Sequence, residues 1–288
     1  MGDETMEHIL AAIDASAYTE SVCRYAAWAS ARLGLPVELL HVVQRQDAVT
    51  ARRDLSGAIG LGVKGDLMEE LVRLSEESSR TEIERGRVLL DAGQTVVRES
   101  GAVDVRTLHR HGGIVETILE REDDARLVVM GKRGASHAFA SDHIGSKIER
   151  VVRASAKPVL VASRTFTEPS NVVFAYDASP AAERALERLA NSPLFAGLPV
   201  TIVMAEAEGP QRKAQLDRAV GAFAADHPVS TVFERGRAEL VIPKAVAANP
   251  GSLLLMGAYG HSPIRRLIVG STTTEMIRSV KAPVLLVR

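Results

Sequence analysis

The strongest constraint on the fold is that the chain is written twice. His8–Ser16 reads HILAAIDAS and Asn171–Ser179 reads NVVFAYDAS, which places Asp14 and Asp177 163 positions apart. The apolar segments VELLHVV, from Val37, and VTIVMAE, from Val200, keep that offset. RLVVMGKRG, ending at Gly134, and SLLLMGAYG, ending at Gly260, lie 126 apart. GSKIERVVRASAKPVLVAS from Gly145 and GSTTTEMIRSVKAPVLLVR from Gly270 lie 125 apart. Repetition at this scale means that one folding plan is used twice. With Val105 and Val229 as equivalents, the falling offset gives the first copy about 39 extra residues. The expected domains are therefore 1–165, with an insertion around 46–100, and 170–288. Ser163–Ser170, with its Pro, reads as the linker between them.

Within each copy, short Val- and Leu-rich runs alternate with amphipathic stretches. Runs that are apolar almost throughout suit strands buried on both faces of a parallel sheet. Helices are expected over Tyr18–Leu33, Leu67–Leu90, Ile114–Glu122 and Ser146–Ala154. The second copy should form them over Pro180–Ala190, Arg212–Ala225, Leu240–Ala248 and Thr272–Val280. Ser179-Pro180 fits a helix start, with Ser as the cap and Pro in the first turn. The fold class is α/β: two repeated doubly wound, Rossmann-like domains, each an open five-stranded parallel sheet flanked by helices. Ligands of such sheets settle beyond the carboxyl ends of the strands, where the strand order reverses.

Composition narrows the function. The 288 residues suit about two domains at ~150 residues each. A hydrophobic fraction of 46% with 25% charged residues argues against disorder. A net charge of -1 leaves no electrostatic footprint for nucleic acid or an anionic membrane. No apolar run approaches the ~20 residues that cross a bilayer. MGDETMEHIL lacks the regions of a signal peptide, and Met6 breaks the myristoylation pattern. The single cysteine, Cys23, excludes an intramolecular disulfide, and a reducing cytoplasm is the expected compartment.

The chemistry should sit at the strand ends. In the second copy, Gly257 and Gly260 close the fourth strand, and Gly270 stands directly before Ser271-Thr272 at a helix start. Glycine lets a ligand approach the backbone closely. Free amides at a helix start, with the helix dipole behind them, favour an anion such as phosphate. Ser271 and Thr272 would add hydroxyls. The plainer reading is helix capping, since Ser146-x-x-Glu149 and Thr272-x-x-Glu275 both match the capping box. Recurrence of three glycines plus a hydroxyl in both copies favours phosphate binding.

Gly257-x2-Gly260-x9-Gly270-Ser271 resembles the nucleotide-binding signature of the universal stress protein family in its tandem two-domain form. The likeness covers essentially the whole chain, including the Asp after the first strand and the Lys-Ala-Pro-Val-Leu ending. In the ATP-binding branch, the nucleotide lies across the ends of the first, second and fourth strands. The resemblance implies that Ala175, Tyr176 and Asp177 meet ribose or adenine and that the Ala205 backbone bonds adenine. It implies that Met256, Gly257 and Gly260 frame the sugar and triphosphate, with Gly270, Ser271 and Thr272 on phosphates. ATP or ADP is the implied cofactor, with Mg²⁺ or Mn²⁺ bridging phosphates mostly through water. The weaker site is Asp14, Val42, Gly131, Gly134, Gly145 and Ser146. There the spacer before Gly145 is ten residues, ASHAFASDHI, and its Asp142 would repel phosphate. Lys132 and Arg133 either offset that charge or are solvated. The resemblance also implies pairing of KPVLVAS with APVLLVR as an intramolecular pseudo-dimer, and a homodimer of whole chains is an open alternative.

Other residues suggest less. Gly60-x-Gly62-x2-Gly65 lacks the preceding strand of a dinucleotide fingerprint and reads as a loop leading into a helix from Asp66. His109-x-His111 shares one strand face but has no third ligand spaced to support zinc, so ordinary histidines are expected. Cys23 reads as packing. No positioned base, arginine finger or Mg²⁺ carboxylate of a phosphoryl-transfer site is recognisable. The leading expectation is a stress-response or signalling protein that holds adenine nucleotide with little or no catalysis. The alternatives are a slow ATPase or autophosphorylating enzyme, and a non-nucleotide interaction module.

Overall fold

The computed structural model describes residues 7–43, 64–134, 146–258 and 271–288. The first half contributes β1 (His8–Ala12), β2 (Val37–Val43), β3 (Val105–His111), β4 (Ala125–Gly131) and β5 (Val159–Ala162). The second contributes β6 (Asn171–Ala175), β7 (Val200–Met204), β8 (Val229–Phe233), β9 (Ser252–Gly257) and β10 (Val284–Val287). Helices α1 (Thr19–Leu33), α2 (Lys64–Glu99), α3 (Ile114–Arg121) and α4 (Ser146–Ala154) belong to the first half. Helices α5 (Pro180–Asn191), α6 (Pro210–Val220), α7 (Ala238–Ala248) and α8 (Ser271–Ser279) belong to the second.

All ten strands form one sheet, in the order β3-β2-β1-β4-β5-β10-β9-β6-β7-β8. Pairing is parallel within each half and antiparallel between β5 and β10, where Val284 faces Val161 and Leu285 faces Leu160. The physical reason is the composition of those strands: VLVA and VLLV are buried at every residue. Left as edges, they would expose both apolar side chains and unpaired backbone groups, and each covers the other. The two expected sheets thus join edge to edge within the chain.

Successive strand residues point to opposite faces, and both faces are covered. Ile9, Leu39, Val129, Phe174, Ile202 and Leu253 pack under α1, α2, α5 and α6. Leu10, Leu40, Val128, Val173, Val203 and Leu254 pack under α3, α4, α7 and α8. This is why the strands read as continuous apolar runs.

Most helix ends fall within a residue or two of expectation, with two exceptions. Helix α2 runs 36 residues where the equivalent α6 has 11, so much of the insertion is one helix prolonged at both ends. Helix α6 stops at Val220, where the Gly221 amide turns back to the Asp217 carbonyl, instead of reaching Ala225. Ser179 caps α5 as expected, its Oγ accepting from the Ala182 amide at 3.2 Å.

Helix α1 is also a clasp between the halves. The Tyr25 hydroxyl shares a 2.9 Å hydrogen bond with Ser163 Oγ and lies 3.3 Å from the Thr167 backbone. Its ring meets Phe166 edge-on at 4.8 Å. Burial pushes the Tyr25 phenol above its ordinary value. At the other end of α1, Arg32 Nε donates to the Leu194 carbonyl at 2.6 Å.

Candidate functional site

Strand order locates the site. The chain reverses direction across the sheet between β1 and β4, and again between β6 and β9, opening a crevice at each pair of carboxyl ends. The two halves keep one register: Ala12 pairs with Met130, and Ala175 pairs with Met256. Asp14 and Gly131 therefore flank the first crevice as Asp177 and Gly257 flank the second. Val42 and Ala205 stand at equivalent carboxyl ends of β2 and β7, each partly buried.

In the second half, β6 runs into a tight turn. Asp177 is exposed, and its Oδ1 accepts from the Ser179 amide at 2.9 Å. Ala178 has φ 58, the one positive φ outside glycine among the described residues. Such a conformation is strained for an L residue and marks a turn held by its surroundings. Tyr176 meets the crevice only through its backbone. Two residues beyond Phe174, its ring returns to the same packed face, and its hydroxyl donates to Glu183 Oε1 at 2.6 Å. Burial first, then the Glu183 contact, raises the Tyr176 phenol.

Gly257 has a structural duty of its own. A Cβ there would sit 2.7 Å from the Ala182 amide nitrogen and 2.8 Å from the Ala181 carbonyl carbon, inside the first turn of α5. Gly131 makes the equivalent approach, with a Cβ falling 2.6 Å from Tyr18 Cβ. The first glycine of each signature thus lets a helix start lie against a strand end beside the crevice. Gly134 closes on the first aspartate: its Cβ would lie 2.9 Å from Asp14 Oδ2.

Gly260, Gly270 and Gly145, together with Asp142, lie outside the described residues. Ser271 and Ser146 are the first residues of α8 and α4. The Thr272 hydroxyl donates to Glu239 Oε1 at 3.2 Å. A hydrogen bond from its own backbone amide, with Thr272 and Arg237 adding, holds the Glu239 carboxyl below its ordinary value against the opposing effect of burial. Both capping-box acids have other partners: Glu149 accepts from Thr274 across the two halves at 3.4 Å, and Glu275 from Arg278 at 2.7 Å.

Two placements depart from the sequence reading. Lys132 is neither solvated nor aimed at its own loop. It is 9% exposed and donates to the Val280 carbonyl at the end of α8, in the other half. The histidines of β3 do have a third neighbour, because parallel pairing sets His41 opposite His109. Ring centroids are 5.3 Å apart for His41–His109 and 5.9 Å for His109–His111. Helix α2 reaches them through Gly86, where a Cβ would meet the His109 ring at 2.6 Å. Burial, then His41 and His111, lowers the His109 pKa. Among the described residues no group of three His, Cys, Asp or Glu is placed to hold a metal. Cys23 is fully buried, and burial pushes its thiol up to about 12. The last glycine of the Gly60–Gly65 run lies within α2, while residues 60–63 are outside the described set.

A doubly wound sheet with glycine-bearing crevices at its reversal points is an architecture in which ligands settle at the strand ends. Comparison with known proteins is more specific. The universal stress protein family profile matches residues 5–163 and 201–288, and the chain belongs to that family. A universal stress protein of Synechocystis sp., Slr1230, is 34% identical over 98% of this chain and 100% of its own length. One from Mycolicibacterium smegmatis is 23% identical over 97% of this chain and 96% of the relative. A crystal structure of a universal stress protein from Archaeoglobus fulgidus shares the fold, with TM-score 0.69, 19% identity, and 98% and 96% of the two chains covered. Among the described residues no helix is long and apolar enough to cross a membrane.

Proposed function

We propose that the crevice at the carboxyl ends of β6, β7 and β9 binds an adenine nucleotide, ATP or ADP, and that the protein is a cytoplasmic stress-response or signalling component that holds nucleotide with little or no turnover. The observation that carries this reading is the shared register. It brings Ala175 and Asp177, Ala205, and Met256 and Gly257 to one crevice, and repeats the arrangement with Asp14, Val42 and Gly131. In the proposed mode Asp177 and the Tyr176 and Ala175 backbone meet ribose or adenine, and Ala205 bonds adenine through its backbone. Gly257 and Gly260 leave room for sugar and phosphate, and Gly270, Ser271 and Thr272 take phosphate at the start of α8. Thr272 would exchange its bond to Glu239 for one to a phosphate oxygen. Mg²⁺ or Mn²⁺, when bound, would neutralise phosphate charge mainly through water ligands.

The second half is the firmer site. Its glycine spacing is the nine residues of the signature, and in the first half Lys132 donates to the Val280 carbonyl at the end of α8. The proposed domains are 1–165 and 170–288, with pairing of whole chains into a homodimer as a further step.

Equilibrium dialysis with labelled ATP tests the reading. Saturable binding that weakens when Gly270 is replaced by Val is expected, and no saturable binding at millimolar nucleotide would overturn it.

A further inference from the structure

A cleft of about 920 Å³ lies where the carboxyl-end side of the first half meets the base of the second. Tyr18 and Tyr25, the Lys132–Arg133 turn, residues 163–165 with Thr167, and the ends of α7 and α8 form its walls. That volume falls within the range of sites for small molecules. Lys132, Arg133, Arg164, Arg278 and Lys281 line it, and no aspartate or glutamate does among the described lining residues.

The end of α8 takes up part of this charge, while that of α7 has its own partner. The last carbonyls of α7 already accept from Asn249, through its amide to Val246 and its side chain to Ala245. The Val280 carbonyl accepts from Lys132. Arg278 is paired with Glu275, so the excess positive charge falls on Lys132 inside and on exposed Arg164 and Lys281 at the rim. Burial, then the charge of Arg133, pulls Lys132 from 10.5 down to about 8, the behaviour of a cation lacking a counter-charge.

We propose that this cleft, which adjoins the first strand-end crevice at Tyr18 and the Lys132–Arg133 turn, is a binding site for a small polyanion bearing clustered phosphate or carboxylate oxygens, gripped by Lys132, Arg164 and Lys281. The repeat does not duplicate it, because the positions equivalent to Lys132 and Arg133 are Ala258 and Tyr259. The site stands whether or not the crevices hold nucleotide.

Titration calorimetry of the full chain at pH 8, with tripolyphosphate and with citrate, tests it. One saturable event is expected for at least one probe, and the stronger probe identifies phosphate or carboxylate as the preferred group. Adenosine, which carries no phosphate, should leave that event unchanged. The exposed double variant R164E/K281E should weaken it at least tenfold without altering the circular dichroism spectrum. Burial holds the Lys132 ammonium down to about 8, so binding should favour its protonated form, read as a proton-uptake contribution from enthalpies in buffers of different ionisation heat. The Lys132 share of that exchange should be lost in K132M, whereas the probe's own titration is common to both proteins. No binding of either probe at millimolar concentration would overturn the proposal. So would binding that R164E/K281E leaves intact and saturating ATP abolishes, since the anion would then occupy a crevice.

Discussion

Replacing Gly257 with Ala separates a glycine that serves a ligand from one that serves the fold. The added Cβ would lie 2.7 Å from the Ala182 nitrogen, 2.8 Å from the Ala181 carbonyl carbon and 2.9 Å from Ala181 Cβ. Two of these atoms are backbone in a capped helix turn, so relief requires α5 to shift as a unit. Overpacking of this kind costs about 1–3 kcal/mol. Removing glycine from the unfolded chain returns roughly 0.4–1 kcal/mol, leaving a net loss of about 1–2 kcal/mol. For a domain of this size that is a drop of roughly 2–8 °C in melting temperature. Gly221→Ala is the matched control, with an ordinary helical φ of -64 and its nearest contact at 3.4 Å. Urea unfolding without nucleotide should show a lower midpoint at unchanged slope for Gly257→Ala, and no loss for Gly221→Ala. A Gly257→Ala protein as stable as the parent, yet unable to bind ATP, would refute this reasoning and assign the close approach to the ligand.

Other outcomes follow from the same contacts. Tyr25→Phe deletes the hydroxyl shared with Ser163 and Thr167, and should cost about 1–2 kcal/mol in urea unfolding; an unchanged midpoint would mean that the α1 clasp holds nothing. Cys23, raised to about 12 and fully buried, should resist iodoacetamide at pH 8 in the native protein and react once urea unfolds it. Labelling at the native rate of a free thiol would contradict its burial. The lowered His109 pKa means that the unfolded chain protonates first, so stability is fully present above about pH 6.5 and falls as pH drops toward the folded value. His109→Gln should flatten the difference in urea midpoint between pH 7.5 and pH 5.5; an identical pH dependence in the variant would exclude His109 as its source.

The periodic signals proved the most legible. Residues two apart on buried strands, and glycines recurring at matched offsets, are local properties, so strand content, helix content and the family signature can be read along the chain. The pairing of β5 with β10 follows from two short wholly apolar strands with nothing else to cover them. Gly257 was legible as special, but its contact with Ala181 and Ala182 was not, because the helix that approaches it comes from 75 positions earlier.

What eluded the sequence was long-range pairing. His41 and His109 are neighbours only because β2 and β3 pair in register, and no spacing rule links positions on opposite sides of an insertion. Tyr176 lies next to a site aspartate in sequence, yet strand alternation sends its ring to the packed face with Phe174. Lys132 sits inside a phosphate-loop pattern, yet antiparallel pairing of β5 and β10 brings the end of α8 within its reach. Sequence by itself determined the doubled plan, the α/β alternation and the strand ends at which chemistry belongs, since these arise from local propensity and hydrophobic period. Tertiary structure alone decided the buried lysine and the basic cleft between the halves. These depend on groups far apart in the chain sharing one desolvated space, where an uncompensated charge or hydroxyl acquires a value that it lacks in water.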